Sequence, residues 1–446
     1  MDGPLGYCFN QLESEDVVSL VAAISCNYTH SAFPNKLYFC ILIFKGIICV
    51  INVMNQKSKE FGLVLLLGLF SLLSVPQLQA QEKSLWYVEP SIRYGRVLPN
   101  FKEASWLWQT DLCGVDVSVG RQTDGRKEWE QWFHYPSYGV VVRYSHFNRE
   151  SIGEKIGIFG FLNGYFVRRP KFTFFYQLGA GVNFWTKRYN YYTNPENIFV
   201  GGPASVHLDI SVGITARLSK HADFLLAGDF SHSSNGVLSL PNYGINGVTV
   251  KAGVRCRFYE QLETIHTIDT ITQFRPINRL YFFVAPAAKQ SRAEFSLSKP
   301  DRPPYCFATT LEIGYLRQPH PKFRYGGGFD LFYNREVLTY LPEEERSEGK
   351  CFLPAAFVAF DVTFSRLVLH TSAGVYLGRY YSFYQPFYER VGLQFLLGPK
   401  RNHILGVSIK AHLFVADYIE WTYGFCFYNW YDKNPRMLKS GKRKPR

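Results

Sequence analysis

FTFFYQLGAGVNF, residues 172–184, alternates with a period of two: Phe172, Phe174, Tyr176, Leu178, Ala180, Val182 and Phe184 share one side, and Thr173, Gln177, Gly179, Gly181 and Asn183 lie between them. Successive side chains of a strand point to opposite faces, so the segment is predicted to be β, with one apolar face and one small or polar face. Residues 206–218 repeat the pattern, setting Val206, Leu208, Ile210, Val212, Ile214, Ala216 and Leu218 against His207, Asp209, Ser211, Gly213, Thr215 and Arg217. Such runs of about a dozen residues exceed the usual strand of a soluble sheet and match a tilted strand that crosses a bilayer. Period alone does not say which face is inside. A soluble barrel turns its apolar face inward, whereas a membrane barrel shows it to lipid and fills its lumen with small and polar groups.

Composition favours an all-β chain: of 446 residues 17% are aromatic and 19% charged, with 38 Phe and 30 Tyr but only 3 Met. The formal charge of +13 raises nucleic acid as a partner. The basic residues form no amphipathic helix or binding motif, however, and part of the excess sits in residues 439–446, so no nucleic acid is expected and a phosphate-rich membrane surface suits the charge equally well. Before the strands, Lys57 and Lys59 precede an apolar run over residues 61–75, then Pro76 and a small-residue site after Ala80. This is the pattern of a bacterial secretion signal over residues 54–80, with the mature chain starting near Gln81. Met54 is then read as the true start and residues 1–53 as a non-native extension, although their apolar run at residues 37–53 also fits a membrane helix or a second signal.

Four of the nine cysteines fall in residues 1–53. Cys113, Cys256, Cys306, Cys351 and Cys426 are scattered without metal-site spacing, which predicts buried thiols, with a Cys306–Cys351 disulfide as the alternative. Strands ending near Val167, Leu218, Leu316, Ser365 and Leu397 are followed by short turns, and their other ends by longer loops such as residues 186–204 and 335–350. Short periplasmic turns and long external loops give this asymmetry. The link over residues 122–137 is too long for the periplasmic side. About eight strands are predicted over residues 85–258 and about eight more over residues 280–428, with residues 259–278 as a linker and residues 433–446 as a basic tail. The expected fold is a transmembrane outer-membrane antiparallel β-barrel protein of two eight-stranded units, residues 81–258 and 279–432; one barrel of about sixteen strands is the alternative. Open sheet edges cannot exist in lipid, so either arrangement must close.

The most chemically suggestive stretch is residues 226–254. Leu226, Gly228, Phe230, His232 and Ser234 share the apolar face of one strand, and Asn246, Val248, Val250, Ala252 and Val254 that of the next. Histidine and serine two apart on a strand can supply the base and nucleophile of acyl transfer, and Asn246 could orient the imidazole. Asn235 and Asn242 are candidate donors to the oxyanion. A His-x-Ser on a strand is common, and by itself says little. His412 lies on the polar face with Ser408 and Lys410, while Phe414 stands where a nucleophile would be needed; His207 and His370 also face the polar side. The second unit is therefore expected to be noncatalytic.

His232-Ser233-Ser234-Asn235-Gly236, followed by Pro241-Asn242-Tyr243-Gly244-Ile245-Asn246, resembles the outer-membrane lipid A 3-O-deacylase family, acyloxyacyl hydrolase-like eight-stranded barrels with a serine-hydrolase site facing lipid. The resemblance covers residues 85–258 and implies His232 as base, Ser234 as nucleophile and Asn242 in the oxyanion hole. The family's acidic triad member falls at Asn246, a departure in which an amide stands where the family has a carboxylate. Outer-membrane phospholipase A is a second likeness, through His232, Ser234, Asn235, Gly236 and Asn246. Its calcium-site arginine would fall at Val237, so calcium dependence is not expected, and the chemistry needs no metal or cofactor. The resemblance implies a carboxylic ester hydrolase of the bacterial outer membrane acting on lipid A of lipopolysaccharide in the outer leaflet. Lys187 and Arg188 are then candidate partners of lipid A phosphates, or ordinary rim charges. The rival readings are a phospholipase A and a noncatalytic porin or scaffold barrel. A homodimer is compatible with the sequence.

Overall fold

The computed structural model describes residues 85–99, 101–259, 272–378, 385–431 and 436–438. The expected extension and secretion signal lie outside the described residues. So do most of the expected linker and the basic tail, apart from a two-stranded sheet of β9 (Thr272–Phe274) and β18 (Arg436–Leu438).

The remaining strands close into two separate eight-stranded antiparallel barrels, and the single sixteen-stranded alternative is not adopted. The first comprises β1 (Trp86–Leu98), β2 (Asp111–Gln122), β3 (Ser137–Phe147), β4 (Glu154–Arg168), β5 (Phe172–Trp185), β6 (Ala204–Arg217), β7 (Ala222–Ser234) and β8 (Ile245–Arg257). The second comprises β10 (Ile277–Gln290), β11 (Tyr305–His320), β12 (Phe323–Asn334), β13 (Phe352–Phe364), β14 (Leu367–Tyr376), β15 (Phe387–Leu397), β16 (His403–His412) and β17 (Val415–Tyr431). Each strand pairs with its sequence neighbours. Closure comes from β1 on β8, where Tyr87 lies opposite Arg257 and Leu98 opposite Asn246, and from β10 on β17.

Parity decides which way each face looks. On β5 the predicted apolar face is outside, with Phe172, Leu178, Val182 and Phe184 exposed, while Gln177 and Asn183 are buried in the lumen. Phe175 and Trp185, the large apolar residues on the polar side of that strand, are also inside, and Phe175 packs on Leu225 and Ala227. An apolar exterior around a polar interior is the membrane arrangement, and closure leaves no strand edge unpaired in hydrocarbon.

Charge fills both lumens. In the first barrel Arg143 is fully buried and donates from Nε to Asp116 Oδ1 (2.9 Å), from Nη1 to Asp209 Oδ2 (2.6 Å) and from Nη2 to Asp229 Oδ1 (3.2 Å). His207 belongs to this cluster, 3.4 Å from Arg143 Nη1. In the second, Arg390 bridges Glu312 (2.5 Å), Glu420 (2.9 Å) and Asp330 (3.4 Å), and His370 pairs with Asp361 (2.8 Å). His412 is bonded to the Tyr376 hydroxyl at 2.9 Å. Interiors crossed by paired charge speak against the porin reading. Cys113, Cys256, Cys306, Cys351 and Cys426 are all free thiols, and Cys306 and Cys351 are buried without forming the alternative disulfide.

The long β2–β3 link has a structural use. It carries a short helix, α1 (Glu128–Trp132), which sets Trp132 edge-on to His320 (5.5 Å between ring centroids) and Phe133 against Phe364 (4.4 Å). Both partners belong to the short-turn end of the second barrel. At the opposite rim of the first barrel, the 3-10 segment Lys102–Gln109 and the β5–β6 loop bury Leu107, Phe199 and Val200 with Val97, Phe147 and Trp185 as an apolar cap.

Breaking the Arg143 cluster tests this interior. Arg143→Ala leaves Asp116, Asp209 and Asp229 together without their principal counter-charge, at an expected cost of about 3–5 kcal/mol. A lower temperature for loss of the compact band on semi-native SDS gels would report it, and an unchanged temperature would contradict a stabilising role.

Candidate active site

His232, Ser234 and Asn246 all stand on the outer face, as parity requires: their neighbours Phe230 and Val248 are exposed, whereas Asp229, Ser231 and Ser233 are buried in the lumen. β7 and β8 pair so that His232 is directly opposite Asn246, with Leu208 of β6 on its other side. Directly opposed side chains in an antiparallel pair lie within contact of each other. His232 Nδ1 and Asn246 Oδ1 are 2.6 Å apart.

The β7–β8 loop completes the cluster. Asn242 folds back so that its Nδ2 donates to Ser234 Oγ (2.9 Å) while its Oδ1 accepts from the Asn235 amide (3.0 Å). The Gly236 amide also points at Ser234 Oγ, at 3.4 Å. Ser234 Oγ thus accepts from two donors, and its own hydrogen is left for another acceptor. No direct hydrogen bond joins it to the His232 ring, yet the two are close. A Cβ added to Gly244, whose φ is +72°, would lie 3.2 Å from His232 Cε1 and 3.4 Å from Ser234 Cβ. Glycine is the residue that enters this left-handed conformation without steric cost.

Asn235 is placed differently from its neighbours. Its side chain is buried within the loop, donating to the Ser239 carbonyl (2.8 Å) and accepting from the Ser239 amide (3.4 Å), so its amide group holds the turn and does not face Ser234. Lys187 and Arg188 are exposed on the β5–β6 loop, where Lys187 Nζ lies 3.6 Å from Glu150. The donor that sequence reading missed is the Gly236 amide. Its signal was the Asn-Gly pair at residues 235–236, a strong turn marker that brings backbone N–H groups close to the preceding side chain. Among the described residues no cluster of His, Cys, Asp and Glu has the arrangement of a metal site.

Solitary polar groups are costly on a lipid-facing surface, so four of them converging there at one rim have few structural explanations. Hydroxyl, imidazole and two N–H donors around one point are the parts needed for acyl transfer.

Residues 114–255 match the family model described as lipid A 3-O-deacylase (PagL), and residues 278–430 match the one described as acyloxyacyl hydrolase, C-terminal domain. Among solved structures, the outer membrane enzyme PagL is 16% identical over 37% of this chain and 97% of its own, with a TM-score of 0.27. Neisserial surface protein A is 11% identical over 39% of this chain and 98% of its own, with a TM-score of 0.28. No curated protein sequence matches the chain, and nothing in these comparisons supports a homodimer. The first matched stretch holds His232, Ser234, Asn242 and Asn246, and the second takes in nearly all of β10–β17. With one barrel matching each model, the chain is an outer-membrane β-barrel protein that belongs to the lipid A 3-O-deacylase family.

Proposed function

We propose that the protein is a serine esterase that removes the 3-O-linked acyl chain of lipid A, drawing its substrate sideways from the outer leaflet. The observation that carries this reading is the convergence of His232, Ser234, Asn242 and Asn246 on the lipid-facing side of β7–β8, at the long-loop rim. Asn246 accepts the Nδ1 hydrogen, which leaves the Nε2 lone pair for the Ser234 proton. Ser234 Oγ then attacks the ester carbonyl carbon, and the developing oxyanion is held by Asn242 Nδ2 and the Gly236 amide. His232 returns the proton to the departing sugar hydroxyl, and water releases the fatty acid from the acyl-serine by the same route. Catalytic hydrogen bonds often tighten only when substrate arrives, in keeping with a Ser234 hydroxyl that is near His232 but not yet bonded to it.

The domain division follows in the same reading: residues 81–258 form the catalytic barrel and residues 279–432 a noncatalytic one. Lys187 and Arg188 are the candidate partners for lipid A phosphates; Lys187 would exchange Glu150 for the stronger anion. Asn246 keeps a phospholipase A activity in view, because an amide in the third position matches that likeness. The two are separated by offering lipid A and glycerophospholipid together and identifying the acid released.

Ser234→Ala is expected to abolish release of 3-hydroxy fatty acid from lipid A, read by mass spectrometry. Persistent release would remove Ser234 from the reaction. Asn246→Ala should lower kcat by about 10- to 100-fold, the worth of one hydrogen bond to a ring that becomes charged. Asn246→Asp should match or exceed the native rate, since a carboxylate stabilises imidazolium better than an amide. If Asn246→Ala turns over like the native enzyme, Asn246 has no part in catalysis.

A further inference from the structure

The second barrel has no catalytic part in this scheme, yet its outer face breaks pattern at one place. Along β10 the outward positions Phe282, Pro286 and Ala288 are exposed, but the next, Gln290, is only 1% exposed. Along β17 the outward Trp421 and Tyr423 are exposed, but Ile419 is 5% exposed. What covers both is the β7–β8 loop of the first barrel. The Leu240 main-chain N–H donates to Gln290 Oε1 (2.7 Å), and the Gln290 main-chain N–H donates to the Val237 carbonyl (2.9 Å). Ile419 closes over Gly236 so tightly that a Cβ there would lie 2.5 Å from its Cγ1.

The loop needs such support. Gly236 and Val237 follow the nucleophile at φ +58° and +66°. Two successive left-handed residues, the second β-branched and fully buried, make a strained turn that persists only where its surroundings hold it. On its own barrel the loop is tied by Ser239 Oγ to the Gly201 carbonyl (2.9 Å) and by the Gly244 amide to the Phe199 carbonyl (3.2 Å), both beyond the strained pair. Val237 and Leu240 are held by Gln290, and Gly236 is covered by Ile419. We propose that the second barrel is a positioning element for the active site: Gln290 and Ile419 fix the turn that presents the Gly236 amide to Ser234 Oγ.

This inference rests on Ser234 being the nucleophile, and one experiment separates the two. The full-length protein in detergent micelles is treated with an alkyl fluorophosphonate, whose fluoride is displaced by an activated serine oxygen. Labelling of native protein and its loss in Ser234→Ala report the nucleophile. Gln290→Met, which keeps bulk but removes the acceptor, and Ile419→Ala are each expected to slow Ser234 labelling about tenfold and to lower kcat on lipid A with KM nearly unchanged, a split that orientation loss produces and substrate-binding loss does not. Phe364→Ala, at the opposite rim contact, should label at the native rate. Compact migration on semi-native gels confirms that each variant is folded. Native labelling rates in both Gln290→Met and Ile419→Ala would overturn the proposal, as would equal slowing in Phe364→Ala, which would mean general loosening of the barrel pair. Absence of labelling at Ser234 in the native protein would instead overturn the nucleophile assignment and this proposal with it.

Discussion

Hydrocarbon supplies no hydrogen bonds, and nearly everything in this chain follows from that. Every strand N–H and C=O in the bilayer must be paired, so each sheet closes on itself through β1–β8 and β10–β17. The same solvent dictates parity: aliphatic and aromatic side chains go outward, and Arg143, Arg390 and their carboxylate partners go inward, where opposite charges offset the cost of burial. Against such a background a polar side chain on the outside is conspicuous. His232, Ser234 and Asn246 are there because the β alternation leaves them nowhere else to point.

The site joins two kinds of precision. Cross-strand register puts His232 beside Asn246 without help from any loop, because both sit on rigid strands. The donors to Ser234 Oγ come from the β7–β8 loop, whose shape depends on Asn235 bonding Ser239, on Asn242 bonding the Asn235 amide, and on contacts from outside the barrel. A serine that accepts from two N–H groups and retains a hydrogen for imidazole needs both halves. The strands place the imidazole; the loop places the N–H donors.

How much of this was legible in the sequence follows from how far apart the interacting residues lie. Period-two alternation made β5, β6, β7 and β8 readable, and with them the outward parity of His232, Ser234 and Asn246. The Phe175 side chain broke the polar series because the lumen holds apolar clusters as well as charge. The Asn235 side chain looked available as a donor, since sequence cannot show that Ser239 already occupies it. The long link between β2 and β3 read as an anomaly because its partners, His320 and Phe364, belong to the second barrel, far along the chain. Gln290 and Ile419 gave no signal at all. A glutamine at a strand end and an isoleucine on an apolar face are ordinary until another barrel's turn is seen resting on them.

The two barrels touch at both rims, through α1 below and the β7–β8 turn above, and they are encoded on one polypeptide. Covalent tethering replaces a bimolecular encounter in the plane of the membrane by an intramolecular one, whose effective concentration is set by chain length and not by expression level. Subunits assembled from separate chains would come apart as they are diluted among lipids and other barrels. Here the pairing of the two barrels does not depend on how many copies the membrane holds.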